Sequence, residues 1–192
     1  MRTTRFDATA FTRILLLFIL LSGVWIALQY AGILFGLAGS DMAPGLGSLF
    51  IVSTAIHVGL KGQPFQKWVL FSLGLLGWYA VSYFLLGRLL LQHIPSLPMY
   101  MMLNVLLGSI VLSWLLQKLY GARYFWALVW AIAVVSAGGS VWLQYFGQTL
   151  ADIPGLPVQV TVGILFQALR MIPMALGVTL RDSEDPGEEI PA

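Results

Sequence analysis

Late in the apolar part of this sequence, Gln159, Gly163, Gln167 and Arg170 follow one another at spacings of four, four and three, the repeat of one α-helical face. Polar side chains on such a face, set in an apolar stretch, turn toward neighbouring helices or toward water. Arg170 is the sharpest of them. A guanidinium inside an apolar segment is costly to desolvate, and no Asp or Glu stands at a comparable place in the chain to neutralise it. Two environments satisfy it: a bound anion such as a carboxylate or lipid phosphate, or membrane headgroups reached by snorkelling. Pro173 follows and is expected to bend or end the helix.

His57 is the second chemical candidate, with Ser53 and Thr54 one turn before it. A histidine at such a place can relay protons or ligate a haem iron. The other histidine, His93, falls in a loop about a membrane thickness away, which removes paired axial ligation by these two. The expected role of His57 is a hydrogen bond to a neighbouring helix, and Asn104, Gln29 and Gln144 invite the same reading. Arg170, Gln167, Gln159, His57 and Asn104 together make up the candidate polar path or anion contact. Arg88 and His93 read as solvated interface anchors, with an anionic headgroup as the functional alternative.

Bond-making chemistry is poorly represented. Zero cysteines removes disulfides, thiolate metal sites and cysteine nucleophiles together. HExxH, a Gly-rich phosphate loop followed by Lys, GxSxG and paired membrane carboxylates are all missing. His57 as a base for Ser53 or Ser109 has no spacing to support it. The expectation is a chain that is not an enzyme and holds no cofactor or metal.

The elements that must carry these residues are set by charge. Between Ile14 and Leu180 the charged side chains are Asp41, Lys61, Lys67, Arg88, Lys118, Arg123, Asp152 and Arg170. The intervening apolar runs reach the ~20 residues a helix needs to cross a bilayer. We therefore expect an all-α polytopic membrane protein with spans at about 14–37, 45–60, 68–91, 98–117, 124–147 and 156–180, lipid being the solvent for most side chains. Arg2, Arg5 and Arg13 before a leucine-rich run resemble a secretory signal, but 14–37 exceeds the ~7–15 residues of a signal core, so a retained helix is expected. The net charge of +2 and pI near 9.0 reflect loop lysines and arginines and give no reason to expect nucleic acid.

Those basic residues also orient the chain. Arg2, Arg5, Arg13, Lys61, Lys67, Lys118, Arg123 and Arg181 fall on one side of six spans, while Asp41, His93 and Asp152 fall on the other. The positive-inside rule puts both termini in the cytoplasm, in a bacterial inner (plasma) membrane. Residues 181–192, with five acids and no apolar anchor, are expected to be a disordered tail outside a single domain of 1–180.

The opposite loops share a proline phrase: Asp41-Met42-Ala43-Pro44-Gly45-Leu46-Gly47, His93-Ile94-Pro95-Ser96-Leu97-Pro98 and Asp152-Ile153-Pro154-Gly155-Leu156-Pro157. They predict three pseudo-repeated hairpins, about 14–60, 68–117 and 124–180, around one axis along the membrane normal. In that repeat Arg170 falls where Lys61 does. This favours the snorkelling reading, with Met171–Leu180 as an interfacial segment. Close helix packing is expected where small residues recur: Gly23, Ala27 and Ala31, with Gly32 and Gly36, on span one, and Ala133 with Ala137 and Ser136 with Ser140 on span five.

Two function classes remain. One is a non-catalytic subunit or scaffold of a membrane assembly, its small-residue stripes serving other transmembrane subunits or self-association; the scarcity of polar residues favours it. The other is a small-solute transporter or channel with span six lining the path. In architecture alone, six spans in so short a chain resembles the substrate-capture components of vitamin uptake transporters; no motif is shared.

Overall fold

The computed structural model describes residues 4–30, 43–82, 84, 97–150 and 158–182. They form six helices, α1 Ala8–Tyr30, α2 Ala43–Gly59, α3 Phe65–Ala80, α4 Leu97–Tyr120, α5 Phe125–Leu150 and α6 Val158–Thr179. Two three-residue strands, β1 Thr4–Phe6 and β2 Leu180–Asp182, complete the described chain, which is otherwise all-helical.

Helix ends follow local chemistry more than hydropathy. α1 begins ahead of the apolar run because Asp7 caps it: its carboxylate accepts the Ala10 N–H at 2.9 Å and its carbonyl the Phe11 N–H at 3.0 Å. Asp7→Ala should cost about 1 kcal/mol, read as a lower melting temperature, and Asp7→Asn should restore most of it. α4 ends in an αL cap. Gly121, at φ 70°, donates to Gln117 O at 3.1 Å, and beyond it Ala122 donates to Leu116 O at 3.2 Å. Pro44 and Pro98 lie in the first turns of α2 and α4, where a missing N–H costs nothing. Pro173 neither ends nor interrupts α6, which runs past it to Thr179.

The helices pack as an antiparallel ring, each against its neighbours in sequence, with α6 closing on α1. Close contacts fix the register. Ile14 meets Gly59 and Trp25 meets Gly47 between α1 and α2; Gly74 faces Leu115 and Gly108 faces Trp78 between α3 and α4; Gly177 faces Leu128 between α5 and α6. Polar pairs stitch α2 to α3: the Trp68 indole donates to Thr54 Oγ1 at 3.3 Å and Ser72 to Ser53 Oγ at 3.0 Å. The ring is closed by β1 and β2, which pair antiparallel with Arg5 opposite Arg181, and by the Asp7 N–H on Thr179 O at 3.0 Å. Order thus extends two residues into the segment expected to be a tail; 183–192 lie outside the described residues.

Ile14, Phe18, Ile56, Phe71, Leu116, Ile132 and Met174 are among the fully buried core side chains. The outer surface is just as apolar, with Leu20, Phe50, Leu73, Met102, Trp130 and Leu169 exposed, one from each helix. Among the described residues, two helices carry windows long and apolar enough to cross a membrane, Ala8–Trp25 and Met102–Tyr120. Shorter apolar stretches occupy Gly47–Gly59, Phe125–Gly139 and Leu169–Thr179.

The expected small-residue packing needs correction at Gly23. It is exposed, and a Cβ there would meet nothing within 4 Å, so it makes no close contact among the described residues. Ala133 is buried and Ala137 partly so. The side chain of Ala27 and all of Ala31, Gly32 and Gly36 lie outside the described residues, as do Asp41, Arg88, His93, Pro95, Asp152 and Pro154.

Candidate functional site

Five helices converge on a cleft of about 280 Å³. Ser48 and Leu49 come from α2, Trp78 and Tyr79 from α3, and Ser82 from the turn after it; Asn104, Val105 and Gly108 come from α4, Ser136 from α5 and Arg170 from α6. The cleft's depth follows from helix geometry. The β-ribbon and the turns 60–64 and 121–124 mark one end of the ring, where Arg5, Lys61, Lys67, Lys118, Arg123 and Arg181 gather. Counting along each helix from that end at ~1.5 Å per residue puts the lining residues roughly 14–27 Å in, from Arg170 to Ser82.

Local backbone geometry positions the polar wall. α3 does not stop cleanly: the Val81 N–H reaches both Gly77 O and Trp78 O, and the chain widens into a π-helical turn that includes Ser82. Ser82 Oγ then donates to Asn104 Oδ1 at 2.8 Å, tying the turn to α4. Such widened turns recur at functional sites because they re-aim side chains that a regular helix would not. Across the cleft, Gly108 lets the Trp78 indole close in, since a Cβ on Gly108 would stand 3.1 Å from Trp78 Nε1.

Arg170 is the one charged group among the lining residues. α6 continues past it to Thr179, and Met171, Pro173, Met174, Ala175, Val178 and Thr179 are buried. The expected interfacial segment after Arg170 is therefore a packed half-helix. The repeat analogy also separates here, because Lys61 sits exposed in a turn at φ 39° while Arg170 sits inside a helix.

Of the five candidate path residues, Arg170 and Asn104 share the cleft. His57 lies near the basic end of α2, its Nδ1 3.5 Å from the Tyr120 hydroxyl and its ring edge-on to Tyr120, which stacks edge-on against Phe71. Gln159 and Gln167 lie on α6 with side chains outside the described residues. No family model matches the chain, and neither a curated protein nor a solved structure matches it.

Sequence reasoning missed Ser48, Trp78, Tyr79 and Ser82 and assigned Ser136 to packing. One or two polar residues per helix leave no spacing signal; the convergence exists only in three dimensions. The arrangement offers hydroxyls, an amide, an indole and a guanidinium, with no carboxylate or imidazole among the lining residues to move a proton. Among the described residues, no cluster of three His, Asp or Glu side chains is placed to hold a metal ion.

Proposed function

We propose that this chain is a six-span membrane protein that takes up a small solute in a mid-bilayer cleft, as a transporter or the solute-capturing component of one. The observation that carries the reading is Arg170 on the wall of a cleft where five helices meet. Intramembrane charge is expensive and marks solute or ion paths. On sequence alone the scarcity of polar residues favours a scaffold; the gathering of those few residues in one place shifts the weight to solute binding. The six-span reading is supported by large apolar side chains exposed on every helix and by basic residues collected at one end, which we read as cytoplasmic with both termini. A subunit role draws support from the open outer face of α1, where Leu16, Leu20 and Gly23 are exposed and available to a partner helix.

The absence of native cysteine makes single-cysteine labelling clean. In native vesicles, Ser48→Cys should react with a water-soluble thiol reagent, as Gly62→Cys in the 60–64 turn does from the cytoplasmic side. Leu73→Cys, exposed on the outer surface of α3, should not. Equal labelling at Leu73 and Gly62 would remove the bilayer, and a silent Ser48 would remove the water-filled cleft.

A further inference from the structure

Building on the solute-binding reading, we propose that the cleft selects a small amphipathic monocarboxylate. Charge is the first argument. The other polar lining groups, Ser48, Tyr79, Ser82, Asn104 and Ser136, are neutral, so a monoanion bound against Arg170 leaves the site neutral. A dianion would bury a net negative charge and an amine would set two cations together, and both are penalised at membrane depth.

Geometry is the second. A guanidinium presents a planar fork that matches the two oxygens of a carboxylate. Because Ser82 donates to Asn104 Oδ1, the amide group that Asn104 has left to offer is its NH2, a donor suited to the same anion. Free phosphate or a phosphomonoester can also meet the fork, but it carries more than one charge on average at neutral pH.

The third argument is the wall and the volume. Leu49, Val105 and the Trp78 indole, held close by Gly108, give the ligand's body an apolar surface. The volume of about 280 Å³ lies just below the roughly 300–1,000 Å³ of sites for drug-sized ligands. It suits a short chain or a single ring. A fatty acid brings the same headgroup from the lipid phase, so the experiment must separate the two sources.

Purified protein in neutral detergent is melted, with the native tryptophans as reporter, in the presence of benzoate, butyrate, succinate, phosphate, benzamide, benzylamine or oleate. Benzoate and butyrate should raise the melting temperature saturably while the others do not, and Arg170→Lys should weaken the benzoate response roughly ten-fold or more. Ser48→Leu, which narrows the cleft and leaves the charge, should weaken it too, and this variant decides the matter if Arg170→Lys does not fold. A response to succinate, phosphate or benzylamine alone, or to benzamide as strong as to benzoate, would overturn the monoanion assignment while leaving solute binding intact. Stabilisation by oleate without butyrate would replace the small acid with a lipid. If none of the seven stabilises a folded wild-type protein, the monocarboxylate is wrong; labelling at Ser48→Cys then reports separately whether the cleft itself survives.

Discussion

Gly59→Ala is expected to destabilise the protein, and Gly23→Ala, on the other helix of the α1–α2 pair, to stabilise it. A Cβ on Gly59 would overlap the Ile14 side chain and stand 3.1 Å from both Cα and N of Ile14. A side chain can rotate aside, but backbone yields only if α1 moves off α2. α1 is tied at both ends of that contact, by the Asp7 N–H on Thr179 O and by Trp25 seated against Gly47. Overpacking of this kind costs about 1–3 kcal/mol. The helix-propensity gain of Ala, up to ~1 kcal/mol, is muted at the last residue of α2. Gly59→Val should be worse than Gly59→Ala. At Gly23 no neighbour stands within 4 Å, so Ala should gain about 0.5–1 kcal/mol. Melting curves of the two alanine variants moving in the same direction would show that the α1–α2 contact is not where the register puts it.

The contrast between these glycines shows how much of the fold the sequence carries. The all-helical class was legible, because each apolar run between Asp41, Lys61, Lys67, Lys118, Arg123 and Asp152 holds at least one described helix. Which face of each helix turns inward was not. Where the outer face of a helix is polar, periodicity reveals the buried face. Here Ile14 is fully buried and Leu20 is 64% exposed, yet both are aliphatic, so the pattern says nothing about direction. Small-residue spacing then pointed to Gly23, while the close approaches fall at Gly47, Gly59, Gly74, Gly108 and Gly177, whose partners Trp25, Ile14, Leu115, Trp78 and Leu128 are all large. The onset of α1 was missed for a simpler reason: Asp7 is polar, and a cap starts a helix where hydropathy sees only its flank.

The site was legible at its charged end only. Arg170 and Asn104 stand out as polar residues in apolar runs, and they do share the cleft. Arg170 was given a shallow position by analogy with Lys61, because the proline repeat fixes distance from the turn and carries no information about where α6 ends. His57 stood out equally and belongs elsewhere, beside Tyr120 at the basic end. Isolated hydroxyls such as Ser48 and Ser82 leave no spacing pattern, so their contribution could be found only once five helices were brought together.

Arg170→Met should raise the melting temperature while abolishing the response to benzoate. Arginine at the centre of a membrane helix, the place proposed for Arg170, is disfavoured by about 2.5–3.5 kcal/mol on insertion scales, a desolvation cost that an apolar residue of similar volume does not carry. Met removes that desolvation cost, forfeits the contacts of the guanidinium, and fills the space with a flexible apolar chain. If Arg170 is retained for a ligand, the empty protein carries the cost and binding repays it, so the variant is more stable and inert. If Arg170 is instead a structural tie between α6 and its neighbours, its removal leaves buried hydroxyls unserved and should destabilise by several kcal/mol. The sign of the shift therefore separates a binding arginine from a structural one without knowledge of the natural solute. A lower melting temperature in Arg170→Met, with the wild-type benzoate response retained, would assign Arg170 to the fold and leave the cleft without its anion anchor.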